Sequence, residues 1–312
     1  MRQGRFGPLV TAMVTPMKAD GAVNFDEARR LAEFLCDNGT TGIVVSGTTG
    51  EGPTLTDIEK MELFRRIVGS VGERASVIAN TGGNDTRSSV ELTRLACSTG
   101  VHGILAVGPF YNKPPQAGLV AHFHAIADAS SVPVMIYNIP GRTAVNVLPE
   151  TLATLSKHPR IRGVKESSGD LMQIAEIAAR LTEDFDVYAG DDHLALPTAS
   201  VGGCGVVSVA SHVAGRDIRA MLAAYACGDN DSATALHGRL LPLIRALFAV
   251  SSPIPVKAAM RHFGFDAGSC RPPLCELTAE QERALAAAIA PWVATTQASA
   301  PATAAQATVA AT

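Results

Sequence analysis

The chain has 312 residues, 47% of them hydrophobic and 18% charged, with 26 basic against 29 acidic side chains and a formal net charge of −3. That composition suits one large α/β domain or two small ones, and a near-neutral balance without a Lys/Arg run excludes an electrostatic footprint for nucleic acid or an anionic membrane. No stretch reaches the roughly 18 apolar residues of a membrane span. The start, Met1-Arg2-Gln3-Gly4-Arg5, enters Gly7-Pro8 without an apolar signal core, which predicts a cytoplasmic protein. Cys36, Cys97, Cys204, Cys227, Cys270 and Cys275 form no C-x-x-C pair and join no metal-spaced His group. They read mostly as reduced, buried, small hydrophobes, with no metal site.

The elements follow in order. Leu9–Val14 reads as a first strand, and Asn24-Phe-Asp-Glu27 as a capping box opening a helix. Gly39-Thr-Thr-Gly42-Ile-Val-Val45 then places a left-handed helix C-cap two residues before a second Gly and a strand buried on both faces. Thr56-Asp-Ile-Glu59 opens the next helix, and Ser76–Asn80 follows as a strand. The Gly-x-x-Gly-apolar pattern returns at Gly100-Val-His-Gly103 and Gly202-Gly-Cys-Gly205, with strands at Val134–Tyr137, Ile161–Lys165 and Asp186–Ala189 between. Positions 39, 100 and 202 are spaced as about two and three βα units of just over 30 residues. Eight strands with alternating helices predict a (β/α)8 TIM barrel over residues 1–228. An open doubly wound sheet is the alternative, but no G-x-G-x-x-G or G-x-x-x-x-G-K-[ST] follows the first strand. From Asp231 to Ala290 the chain reads as helical, broken once at Pro253 and Pro255, giving a C-terminal helical subdomain over 229–294. The remainder, 295–312, carries no charged side chain and reads as a disordered tail.

In such a barrel the active site lies at the C-terminal ends of the strands, so polar residues closing an apolar run there carry weight. Lys165 ends the strand Ile161-Arg162-Gly163-Val164; if Val164 faces the helices, alternation sends Lys165 into the barrel mouth. A desolvated amine there can be neutral and attack a carbonyl to form a Schiff base. The plainer reading pairs Lys165 with Glu166 and leaves it idle. Tyr137, ending the preceding strand, offers a phenol for proton relay, or mere packing. Arg142, in a Pro-Gly turn, offers a planar fork for a carboxylate, or is a surface residue. Thr48 and Thr49 between glycines supply hydroxyls and amides for a carboxylate, or cap the turn.

Together, Gly47-Thr48-Thr49-Gly50-Glu51, Tyr137-Asn138-Ile139-Pro140-Gly141-Arg142-Thr143, Gly163-Val164-Lys165-Glu166 and Gly190-Asp191-Asp192, in this order and spacing, resemble the pyruvate-dependent class I aldolase superfamily of dihydrodipicolinate synthase and N-acetylneuraminate lyase. The likeness runs from about Phe6 to Ala290, with Thr11-Ala-Met-Val-Thr-Pro16 and Pro253-Ile-Pro-Val-Lys257 at its ends. The Arg142 motif looks like the dihydrodipicolinate synthase branch; sugar-acid lyases generally lack it. Pro109-Phe-Tyr111-Asn-Lys-Pro114 is similar to the loop whose Tyr enters a neighbouring subunit's site.

The resemblance implies that Lys165 carries pyruvate as a covalent Schiff base, that Tyr137, Thr48 and the partner's Tyr111 relay protons, and that Thr49 with Thr48 holds the pyruvate carboxylate. It implies Arg142 on the carboxylate of aspartate semialdehyde and Val207 beside the Schiff base, with Gly190 among the substrate-binding residues. It further implies condensation to 4-hydroxy-tetrahydrodipicolinate, small-molecule substrates only, no metal or diffusible cofactor, and a homodimer at least, assembling to a homotetramer. A paralogue acting on another aldehyde, of sugar-acid or hydroxy-oxoglutarate type, and a binding protein on the same barrel are the other readings. Two departures stand out. Gly141 replaces a common Ser, and where lysine-sensitive members bind lysine this chain has Gly52-Pro53, Asp57, Lys60, Ser88 and Phe110, keeping only Asn84. Weak or absent inhibition by lysine is the expectation.

Overall fold

The structure, a computed structural model, describes residues 2–181 and 184–299. Eight parallel strands close in sequence order into a barrel: β1 (Leu9–Ala12), β2 (Gly42–Val45), β3 (Ser76–Asn80), β4 (Gly103–Val107), β5 (Val134–Asn138), β6 (Ile161–Glu166), β7 (Asp186–Ala189) and β8 (Gly205–Ser208). Closure is through the β1–β8 pair, Val10 opposite Val207. The TIM barrel read from the glycine repeat is the fold, and Gly39, Gly100 and Gly202 have φ of +96°, +84° and +106°, the left-handed turn their position requires. β1 ends at Ala12 rather than Val14, although the Met13 N–H still reaches Val44 O at 3.1 Å.

Alternation along the strands makes two apolar compartments. Phe6, Val10, Val44, Ile78, Leu105, Met135, Tyr137, Tyr188 and Val207 fill the barrel interior. Their neighbours Leu9, Ile43, Val77, Ile104, Ile136, Val164 and Val206 face the helical ring. The ring comprises α1 (Phe25–Asp37), α2 (Asp57–Val71), α3 (Thr86–Cys97), α4 (Gln116–Ala129), the one-turn α5 (Pro140–Thr143), α6 (Pro149–Leu155), α7 (Leu171–Arg180), α8 (Ala195–Ser200) and α9 (Ser211–Ala226). Thr56 and Glu59 form the reciprocal capping box at α2. At α1 only half of the box exists: Asn24 accepts from Glu27 N–H, but the Glu27 carboxylate turns to Arg30 and to the Asp266 N–H.

The C-terminal helices are α10 (Asn230–Leu247), α11 (Ile254–His262) and α12 (Ala279–Ser299), and their apolar faces share one core with the barrel helices. The helical stretch is broken twice, not once. Gly264 and Gly268 take left-handed φ, and Pro272 and Pro273 follow in a turn within the irregular connection to α12. α12 continues to Ser299, past the 294 boundary; positions 300–312 of the predicted tail lie outside the described residues. The cysteines are also a correction. All six are free, but only Cys204 is buried, while Cys227 and Cys275 are exposed at the end of α9 and in the α11–α12 connection. Among the described residues no helix is long and apolar enough to cross a membrane.

Candidate active site

Lys165 projects inward from the end of β6, and only 5% of it is accessible. Its Nζ lies 3.9 Å from the centroid of the Tyr137 ring, the residue paired with it across β5–β6. Val164 faces the helices, as the alternation argument requires. The idle pair with Glu166 does not form. Glu166 points the other way, fully buried, accepting from Asn138 Nδ2 (3.0 and 3.1 Å), the Ser168 N–H (2.8 Å) and Gln173 Nε2 (3.3 Å). Burial holds its carboxyl above the usual range, against the pull of those donors.

Gly190, the residue after β7, lies against the stem of Lys165. A Cβ there would meet Ser167 Oγ at 1.9 Å and Lys165 Cε at 3.1 Å, so the absence of a side chain lets β7 approach the lysine stem. Val207 is buried in the barrel interior with Tyr137.

Thr48 and Thr49 sit in a loop that begins and ends left-handed, at Ser46 (φ 54°) and Glu51 (φ 56°). Such angles in non-glycine residues need external anchors. Asn80 Nδ2 donates to Ser46 O (3.1 Å) and Thr15 Oγ1 to Gly50 O (2.6 Å). Glu51 is buried, accepting from Lys257 Nζ at 2.6 Å on one oxygen and from the Arg271 N–H at 2.7 Å on the other. Arg271 in turn bonds Thr54 O and Glu59, so the 264–278 connection clamps the loop from outside the barrel.

Thr48 and Arg142 both line a groove of about 420 Å³. Arg142 stands exposed on α5, one guanidinium nitrogen 3.3 Å from Ser252 O. The groove continues over Asp57, Lys60, Asn84, Ser88 and Phe110. Lys60 Nζ is 3.1 Å from Asp57, and Ser88 is bonded to Asp85. Tyr111 stands apart: it is 88% exposed, at φ 76°, in a turn closed by the Asn112 N–H on Phe110 O. Among the described residues no hydrogen bond joins Thr48, Tyr137 and Tyr111, so one chain brings Lys165, Tyr137, Gly190 and Val207 together and leaves Tyr111 outside.

Comparison with known proteins supplies the family. Residues 5–291 match the model of the dihydrodipicolinate synthetase family. The chain belongs to that family. It is 50% identical over 285 residues to the 4-hydroxy-tetrahydrodipicolinate synthase of Moorella thermoacetica, covering 91% of this chain and 98% of the relative. The synthase of Symbiobacterium thermophilum is 51% identical over 281 residues, 90% of this chain and 96% of the relative. Among solved structures, dihydrodipicolinate synthase from Bacillus anthracis superposes with a TM-score of 0.90 at 45% identity, covering 91% and 98% of the two chains. The lysine-bound synthase of Cyanidioschyzon merolae also gives 0.90 at 45% identity, covering 91% and 97%.

Two supports of the site in this family member escape motif reading. The Glu51–Lys257 pair joins the ends of two quoted motifs, yet nothing in either indicates that they meet. The Asn138–Glu166–Gln173 network is carried by residues 28 and 7 positions apart and has no spacing signature.

Proposed function

We propose that this chain condenses pyruvate with L-aspartate 4-semialdehyde through a Schiff base on Lys165, giving 4-hydroxy-tetrahydrodipicolinate, the activity named for its relatives. The observation that carries the reading is the buried Lys165 amine over the Tyr137 ring at the end of β6. With its stem buried in the apolar barrel, the Lys165 nitrogen is placed to attack a carbonyl entering the mouth. Once formed, the iminium is an electron sink that makes the pyruvate methyl acidic, and a weak base then gives the enamine. The enamine adds to the aldehyde, and the substrate amine displaces Lys165 as the ring closes. Neither metal nor diffusible cofactor enters this sequence.

In this scheme Thr48 and Thr49 hold the pyruvate carboxylate from the anchored loop, Arg142 takes the carboxylate of the aldehyde from the groove, and Gly190 and Val207 shape the wall around the Schiff base. Tyr137 and Thr48 relay protons with Tyr111 supplied by a second subunit. The strained, solvent-facing Tyr111 supports that assignment, because a bulky side chain held at φ 76° and 88% exposed makes no side-chain hydrogen bond among the described residues. A homodimer is then the smallest complete unit and a cytoplasmic homotetramer the full assembly. Steady-state assay tests the reading: kcat/KM with aspartate semialdehyde should exceed that with sugar-acid or hydroxy-oxoglutarate-type acceptors at least 100-fold. A reversed ratio would assign the chain to a paralogous aldolase.

A further inference from the structure

Arg142, the carboxylate fork of the proposed reaction, is carried by α5, a helix of four residues. One turn cannot hold itself in place, so its position is set where the surrounding loop is closed. Asn138, the last residue of β5, closes it: its Oδ1 accepts from the Val147 N–H at 2.9 Å, and its Nδ2 donates to Asn146 Oδ1 at 2.8 Å. The closed base is then fixed to the next strand. Glu166, paired with Asn138 across β5–β6 and adjacent to Lys165, accepts from Asn138 Nδ2, while Gln173 Nε2 donates both to Glu166 (3.3 Å) and to Asn146 Oδ1 (3.1 Å). Asn146 Nδ2 returns a bond to Gln173 Oε1 at 2.7 Å. From the outer side, Gln116 Nε2 donates to the Asn146 backbone oxygen at 2.8 Å. The guanidinium itself has a single hydrogen bond among the described residues, the one to Ser252 O. Its place over the barrel mouth is therefore set mainly at the base of the loop.

Asn138 follows Tyr137 and Glu166 follows Lys165 in their strands, so changing either would disturb the reacting pair as well. Asn146 differs. It lies beyond the strands, on the far side of the turn from Asn138, and the three hydrogen bonds of its side-chain amide all hold the base of that turn. We infer that Asn146 is a positioning residue for Arg142: through Asn138 and Gln173 it sets the separation between the guanidinium and the Lys165 amine. That separation selects the acceptor whose carboxylate reaches the first while its aldehyde reaches the carbon carried by the second. The inference rests on the function proposed above, in which Arg142 holds the acceptor carboxylate. Without the Asn146 amide the base keeps the Val147–Asn138 bond and loses its tie to Gln173 and α7. The turn can then shift, while the β5–β6 pairing that presents Tyr137 and Lys165 stays in register.

Asn146→Ala tests this beside the wild type. Misplacing a binding group by about 1 Å can cost roughly 100-fold, so kcat/KM for aspartate semialdehyde should fall about 10-fold or more, chiefly through KM. KM for pyruvate and the rate of borohydride trapping should stay within about threefold of wild type, a split that general loosening of the barrel would not produce. Measured on the residual activity of Arg142→Ala, the same substitution should cost less than about twofold, because its effect passes through a side chain already removed. Gln173→Met takes away the same support from α7 and serves if the alanine variant does not fold. Acceptor kinetics within about threefold of wild type would overturn the assignment, as would a parallel loss of pyruvate trapping or an undiminished loss in the Arg142→Ala background. A wild type that traps pyruvate yet never turns over aspartate semialdehyde would overturn the functional reading itself, and the inference with it.

Discussion

At the scale of single residues, the site depends on where a side chain is missing and on where a charge is buried. Gly190→Ala puts a methyl group into Ser167 Oγ and against Lys165 Cε. Displacing a reacting group by about 1 Å costs roughly 100-fold, so pyruvate adduct formation in this variant should slow by at least 10-fold; an unchanged rate would show that the wall yields. Glu51 and Lys257 form an ion pair with side chains 1% and 2% accessible. Removing one partner from a buried pair costs about 3–5 kcal/mol, because the other charge remains uncompensated. Glu51→Gln should therefore lower unfolding free energy in urea by about that much, and replacing both residues with apolar ones should recover most of it. His212 gives the pH prediction. It is buried, with Nδ1 at 2.9 Å from Val209 O and Nε2 accepting from the Val14 N–H, and burial pushes its pKa down to about 4. Its folded value lies below the unfolded one, about 6.5. The unfolded chain therefore takes up the proton first, and the contribution of His212 is whole above pH ~6.5 and lost toward pH ~4, by up to ~3 kcal/mol. His212→Asn should be less stable at pH 7.5 yet show a shallower decline between pH 6.5 and 4.5; parallel curves would contradict this.

Elements explain why some of the site was legible in the sequence and some was not. Strand ends are readable because a polar residue closing an apolar run is a local pattern, and Lys165 and Tyr137 fall where alternation directs them. The repeated glycines were readable for the same reason, since each meets a local backbone need. Asn24-Phe-Asp-Glu27 has the sequence of a full capping box, but Glu27 is taken by Arg30 and the Asp266 N–H, a competition set by the distant 264–278 connection. That connection itself looked helical around its glycines and prolines, and its part in clamping the Thr48 loop arises only in three dimensions. The groove beyond Thr48 yields another prediction. Lys60 already holds Asp57 there and Ser88 is engaged with Asp85, so a lysine ligand meets an ammonium and finds no free carboxylate on either residue. Half-inhibition by lysine should lie above about 1 mM, an affinity under roughly 4 kcal/mol, and tighter inhibition in an initial-rate titration would refute the argument.

For the molecule as a whole, the barrel supplies the mouth where Lys165 and Tyr137 meet, and the relay proposed above needs assembly to complete it. A solved neighbour at 35% identity is described as a monomeric dihydrodipicolinate synthase variant, so subunit number has to be measured rather than inherited. If Tyr111 serves its neighbour, Lys165→Ala and Tyr111→Phe chains, each nearly inactive, should regain about a quarter of wild-type activity when refolded together, because each mixed dimer holds one intact site; mixtures no better than their parts would confine the site to one chain. The proposed chemistry rests throughout on a covalent bond between pyruvate and one lysine. Intact-mass spectrometry after borohydride reduction with pyruvate, wild type beside Lys165→Ala, tests it most directly. A pyruvate-sized adduct on the wild type that vanishes in the variant is the predicted result; no adduct, or one that survives the substitution, would contradict the Schiff-base chemistry placed at the end of β6.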